Sequence, residues 1–250
     1  MSHHGVVEVT RFRAAIFDMD GVVTQTATVH AQAWKAMFDA FLQRYYAARN
    51  EPFRPFDVQD DYFAYVDGLP RHAGVRNFLQ SRAIELPEGS EDDAAECDTV
   101  HGLGQRKDAM VQEVLARDGV EVFDDWREAF EQWRVAGMKS AIVSSSLNCQ
   151  AMIRAAGIEP LFDARVDGAV SRELGLKGKP DPDIFIEAAR RLGEPPAACV
   201  VFEDAISGVQ AGAAGEFGLV VGVARHGNHD DLARHGAQVT VTRLTELSES

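Results

Sequence analysis

The stretch AAIFDMDGVVTQT, residues 14 to 26, decides how this chain is read. Four apolar residues run without a polar break, which is the pattern of a strand covered on both faces, as in a parallel sheet. The run ends on two carboxylates, Asp18 and Asp20, followed by Gly21. Their i, i+2 spacing aims both side chains the same way while the backbone stays extended, and Gly21 allows a sharp turn behind them. Ligands of open parallel sheets bind beyond the carboxyl ends of the strands, so this acidic pair faces a crevice. Two close carboxylates repel each other and lose solvation. A hard dication such as Mg²⁺, which prefers oxygen ligands, removes that penalty.

Working outward, the spacing predicts an amphipathic helix over 33–50 and broken helices over 70–82 and 104–119, with a polar, acidic stretch over 86–96 between the last two. After residue 118 helices and apolar strands alternate. Helices are expected over 125–137, 148–158, 181–193 and 205–217, strands over 139–146, 198–204 and 218–224, a short extended piece over 162–170, and a final edge strand over 237–242. This alternation predicts an α/β fold, a Rossmann-like parallel sheet with helices on both faces. Roughly ninety residues of mostly helical sequence separate the first strand from the rest, far more than a connection needs, so a helical domain is inserted there. The expected domains are 1–27 for the first strand and motif, 28–117 for the helical insert and 118–250 for the remainder of the sheet domain.

The other strand ends carry matching chemistry. VVFED, 200–204, brings Glu203 and Asp204 to the crevice, and AIVSSS, 141–146, brings Ser144 with Ser145 and Ser146. LKGKPDPD, 176–183, holds Lys179 in a loop stiffened by Pro180 and Pro182. Hydroxyls, backbone N–H groups and an ammonium are suitable partners for a phosphate beside a metal.

Bulk properties narrow the classes. A formal charge of −14 with no concentrated basic patch disfavours nucleic acid and anionic membranes as partners. The three cysteines, Cys97, Cys149 and Cys199, have no ligand spacing, which argues for reduced thiols and against structural zinc. With neither a membrane-length apolar run nor a signal-like N-terminus, the expectation is a soluble cytoplasmic protein.

Together DMDGVVT, AIVSSSLN, GKPDPDIF and FEDAISG, in that order, resemble the four motifs of the haloacid dehalogenase-like superfamily, and more narrowly its β-phosphoglucomutase-like branch. The resemblance covers the alternating half closely and the insert only locally. It implies that Asp18 is esterified by phosphorus and that Asp20 serves as general acid and base. It further implies that Mg²⁺ is held by Asp18, the Asp20 carbonyl and Asp204, with Glu203 either a further ligand or a neighbour that orients them, and that Ser144 and Lys179 grip the phosphoryl oxygens. Ser145, Ser146 and Asn148 fall where the substrate is bound. In the insert, a cap that closes over the crevice, His30, Trp34, Arg71 and Lys107 match positions that contact substrate or respond to closure. Each of these four also has an ordinary reading, as helix, core or surface residue.

Two positions depart from the family pattern: Gln25 stands where an acid is frequent, and Ala205 follows Asp204 where a hydroxyl or acid is frequent. The expected substrate is a small sugar phosphate, and the chain is expected to act as a monomer or weak homodimer. Three readings stay open: a hexose phosphate mutase, a sugar-phosphate phosphatase sharing the same core residues, and a catalytically silent module beside a sugar-metabolising enzyme. A dehalogenase has no use for Asp20 or a metal, and Lys35 is a poor candidate for the Schiff base that phosphonate cleavage requires. The glycine-rich stretch 208–218 follows no first strand and gives no dinucleotide fingerprint.

Overall fold

The computed structural model describes residues 9–247. From β1 (Ala14–Asp18) the chain passes through four helices, α1 (Ala27–Ala47), α2 (Asp61–Tyr65), α3 (Arg71–Ser81) and α4 (Val100–Asp118). It continues with α5 (Asp124–Val135), β2 (Lys139–Val143), α6 (Cys149–Ala155), β3 (Ala164–Val166), α7 (Gly168–Leu174) and α8 (Asp183–Leu192). The last elements are β4 (Cys199–Glu203), α9 (Ile206–Ala214), β5 (Leu219–Val223), α10 (His229–Arg234) and β6 (Val239–Val241). Two compact units result, one formed by the chain up to Gln25 together with the chain from Val120 onward, the other by Thr26–Gly119.

In the α/β unit six parallel strands lie in the order β3-β2-β1-β4-β5-β6. β1 is interior, with Asp18 opposite Val143 and Phe17 opposite Phe202. Every residue of β1, β4 and β5 is buried, as strands covered on both faces require. Side chains alternate between two different cores. Ala14 and Ile16 join an aliphatic cluster with Val201, Ile184, Phe185 and Ala188. Phe17 points the other way, stacking at 4.9 Å on Phe202 and at 6.1 Å on Trp133. Each ring so buried contributes about 2–3 kcal/mol, and a one-residue slip would exchange the two sets. The register is therefore fixed, and with it the position of Asp18 at the strand's end.

The helical unit has its own aromatic core, in which Phe38 lies 4.1 Å from Phe78 and 5.4 Å from Trp34, ring centre to ring centre. α4 begins at Val100, earlier than the expected 104, because Thr99 caps it: its hydroxyl accepts the Gly102 N–H at 2.9 Å. The acidic stretch 86–96 is tied down, with Glu88 paired to Arg76 and Asp93 accepting from Ser90 and Thr99.

The expected extended piece over 162–170 is corrected in part. β3 stops at Val166, Asp167 accepts the Ala169 and Val170 N–H groups at 3.1 and 3.0 Å, and α7 runs on to a left-handed Gly175. Asp at an N-cap and Gly just past the helix end were the available signals. No helix among the described residues is long and apolar enough to cross a membrane.

Candidate active site

β1 delivers Asp18 and the turn after it; β4 delivers Glu203 and Asp204. Both strands end at the same edge because they pair directly and in parallel. Lys179 enters from the loop before α8 and is almost wholly buried, its side chain 1% exposed. Its Nζ donates to Asp18 Oδ1 at 2.5 Å and to Glu203 Oε2 at 3.0 Å, beneath the Phe185 ring at 5.2 Å. The peptide joining Lys179 to Pro180 is cis. Ser144, at the exit of β2, donates from its hydroxyl to Asp20 Oδ2 at 3.3 Å and accepts the Ser146 N–H at 3.1 Å. Thus Asp18, Asp20, Ser144, Lys179, Glu203 and Asp204 share one neighbourhood.

The motif loops are held by their own backbones. Gly21 N–H donates to the Thr24 carbonyl, and Val23 N–H, Thr24 N–H and the Thr24 hydroxyl all donate to the Met19 carbonyl. Gly21 sits at φ +84°, where an L side chain is strained, and a Cβ there would overlap the Asp204 carboxylate. Gly208, on α9, performs the same service for Glu203. The N-cap position of α9 is Ala205, which makes no side-chain cap. The loop after β2 is propped from below, since Gly168 N–H donates to the Ser146 carbonyl at 3.1 Å and Asn148 N–H to Ser146 Oγ at 3.1 Å.

Electrostatically the cluster is unbalanced. Burial raises the Asp18 carboxyl above its ordinary range; Lys179 opposes this and Asp20 adds to it. Burial also works against the Lys179 charge, but Asp18 and Glu203 outweigh it and keep the ammonium protonated well above the usual lysine range. Four carboxylates thus face one ammonium. Asp18, Glu203 and Asp204 can each present an oxygen so that the three lie within 4.8 Å of one another. Hard oxygen donors, excess negative charge and a glycine cradle that lets Asp204 close on bare backbone all fit Mg²⁺.

The residues matched in the insert lie in the helical unit. His30 Nδ1 and Lys107 Nζ are 2.6 Å apart, and Lys107 is buried with its ammonium 5.1 Å from the Trp34 ring centre. Trp34 is buried in that unit's core. Arg71 pairs with Asp108 at 3.0 Å. His30, Lys107 and Trp34 thus meet within the unit, while Arg71 is tied to Asp108.

One contributor lay outside the motifs. The loop after β5 touches the backbone at Gly21, Val22 and Asp204 through Arg225 and Asn228. The rule that strand ends carry the site applied to β5 as much as to β4, and would have found it.

Comparison with known proteins bears on the family and the fold. A family model described as haloacid dehalogenase-like hydrolase matches residues 12–215. A protein of Mycobacterium bovis named β-phosphoglucomutase is 50% identical over 240 residues, covering 95% of this chain and 92% of its own. A phosphorylated carbohydrates phosphatase of Thermotoga maritima is 26% identical over 237 residues, covering 94% of this chain and 95% of its own. Among solved structures, β-phosphoglucomutase from Clostridium difficile superposes with a TM-score of 0.74 at 21% identity, covering 95% of this chain and 93% of that one; it bears on the fold.

Proposed function

The chain belongs to the haloacid dehalogenase-like hydrolases, and from that membership we propose that it is a Mg²⁺-dependent β-phosphoglucomutase, converting β-glucose 1-phosphate to glucose 6-phosphate through a phosphorylated aspartate. The observation that carries the proposal is the buried Asp18, at the end of an interior strand, bonded to Lys179 within the Glu203 and Asp204 cluster. The relative of the same name supports the choice of sugar.

In the first half-reaction an Asp18 carboxylate oxygen attacks phosphorus in line. The bond from phosphorus to the departing sugar oxygen breaks, and Asp20 gives that oxygen its proton. In the second half-reaction Asp20, now ionised, takes the proton of an incoming sugar hydroxyl. The oxygen so activated attacks phosphorus, and Asp18 leaves as a carboxylate. Lys179 and the Ser144 hydroxyl bind the oxygens over which charge spreads. When bound, Mg²⁺ offsets carboxylate repulsion and phosphoryl charge; Asp18, Glu203, Asp204 and the Asp20 carbonyl would hold it.

We assign substrate recognition to Ser145, Ser146 and Asn148 of the α/β unit and to His30, Arg71 and Lys107 of the helical unit, with Trp34, in that unit's core, backing the Lys107 ammonium. Replacing Arg71 or Lys107 by Ala should then damage transfer between sugars more than phosphate release from a minimal ester.

The test is incubation with β-glucose 1-phosphate and Mg²⁺, with and without glucose 1,6-bisphosphate. Formation of glucose 6-phosphate that depends on the bisphosphate supports the mutase. Free phosphate from many sugar phosphates would instead make the chain a phosphatase, the activity named for the Thermotoga relative. Asp18→Asn should abolish either activity with the fold intact.

A further inference from the structure

The motif segments reach the site from β1, β2, β4 and the loop before α8. β5 lies beside β4 and ends at the same edge. Its exit loop, 224–228 (ARHGN), grips both acidic loops at once.

Arg225 is the anchor. Its side chain is 10% exposed, and its Nη1 donates to Asp125 Oδ1 and Oδ2 at 3.0 and 2.9 Å and to the Thr242 carbonyl at 2.9 Å. Asp125 is itself buried and accepts the Leu244 N–H at 2.7 Å. The guanidinium carbon lies 3.9 Å from the centre of the Phe123 ring. One edge of the fork is thus clamped, and the remaining N–H groups have a fixed direction. They point at the turn after Asp20: Nε donates to the Gly21 carbonyl at 3.3 Å and Nη2 to the Val22 carbonyl at 3.4 Å. The loop's other end reaches β4's exit, where Asn228 Nδ2 donates to the Asp204 carbonyl at 3.3 Å. Asn228 Oδ1 is buried with no partner among the described residues.

These contacts meet at a tight spot. The Asp204 carboxylate lies where a Gly21 side chain would be, so the two loops keep their spacing only while the Gly21 peptide keeps its orientation. Arg225 holds that peptide by its oxygen, and Asn228 holds the partner loop. A lysine has a single ammonium and cannot bind Asp125 and two diverging carbonyls together.

We propose that Arg225 and Asn228 are positioning residues of the Mg²⁺ site, fixing the Asp20 turn and Asp204 at the separation the ion requires. This rests on the acidic cluster being a Mg²⁺ site, and on no particular sugar. Second-layer contacts of this type typically alter metal affinity by about 10- to 100-fold.

The experiment is calorimetric titration of the metal-stripped full chain with MgCl₂, beside urea denaturation, for wild type, Arg225→Met, Arg225→Lys and Asn228→Ala. About tenfold or greater weakening of Mg²⁺ binding is expected in both Arg225 variants, and a smaller weakening in Asn228→Ala. A purely structural role would lower the denaturation midpoint while leaving Mg²⁺ affinity of the folded protein unchanged, and that result overturns the proposal. Should the Arg225 variants fail to fold, Asn228→Ala decides: wild-type Mg²⁺ affinity there refutes the assignment. Wild type that binds Mg²⁺ but transfers no phosphate would sink the sugar-phosphate reading alone. Wild type that binds no Mg²⁺ overturns both.

Discussion

Lys179→Met is the sharpest probe of the buried cluster. Methionine keeps an unbranched apolar stem of similar length and removes the ammonium. What remains is Asp18, its side chain 8% exposed, and Glu203, 1% exposed, each without the Lys179 charge at 2.5 and 3.0 Å. Deleting one partner of a buried ion pair costs about 3–5 kcal/mol, because the abandoned charge cannot regain its water. Here two carboxylates are abandoned, so the upper part of that range is expected at pH 7.5. The penalty must depend on pH, and its sign is fixed. Burial already raises the folded Asp18 carboxyl above its unfolded value of 3.8, and losing Lys179 raises it further. A carboxyl raised in the folded state costs stability as pH climbs above its unfolded value and relieves that cost once protonated. The deficit of the variant should therefore shrink as pH falls from 7.5 toward the unfolded value of 3.8. Added Mg²⁺ should restore part of it, since only the folded state gathers the carboxylates. Urea denaturation followed by circular dichroism, with EDTA and with Mg²⁺, measures all three effects. A loss below about 1 kcal/mol at pH 7.5, or a deficit that does not change with pH, would refute the buried ion-pair account.

Other residues give independent tests. Gly21→Ala forces a side chain into a left-handed turn, costing about 1–2 kcal/mol, and drives a methyl into the Asp204 carboxylate; Mg²⁺ titration should show clearly weaker binding, and unchanged affinity would argue against the cradle. His72 is held down to about 4 by burial and by the neighbouring His101, Arg71 and Arg76, with Glu88 opposing. The unfolded chain takes up that proton near 6.5 and the folded chain does not, so stability should fall by about 1–2 kcal/mol between pH 6.5 and 4, less than full burial would give because solvent reaches part of the ring. Denaturation of His72→Gln should lack this component. Among the thiols, burial pushes Cys149 far up and Cys199 to about 11, while Cys97 is partly exposed. A thiol reagent at pH 8 should label Cys97 quickly and the other two only on unfolding.

The parts of the fold that could be read from the sequence are those with one dominant local signal. Unbroken apolar runs ending in polar groups identified β1, β2, β4 and β5, and the order of four motifs located Asp18, Ser144, Lys179 and the Glu203–Asp204 pair. α7 was lost because β3 is only three residues long and runs straight into the Asp167 cap, so strand and helix shared one short window. The start of α4 is obscured because glycines at 102 and 104 weaken its first turn, although Thr99, three residues before Gly102, offered a local cap signal. Arg225 and Asn228 carried no motif at all. The strand-end rule points to their loop, but which of its side chains act does not follow from it: Arg225 meets Asp125 and Gly21, about 100 and 200 positions away, and Asn228 meets Asp204 only through the pairing of β4 with β5.

The charge imbalance connects the whole chain to its site. A net charge of −14 keeps polyanions away, and the crevice repeats that sign locally, with four carboxylates against Lys179. Left so, the site would repel a phosphate dianion as well as any nucleic acid. Complete neutralisation by further lysines would cure the repulsion but would also remove the attraction for a dication. On the proposed reading, a retained deficit of positive charge among carboxylates held by braced loops favours a dication and would leave phosphate binding dependent on it. The aromatic and aliphatic cores on either face of β1 are what let the chain tolerate that stored repulsion, because they fix Asp18 at the strand end whether or not its charge is balanced.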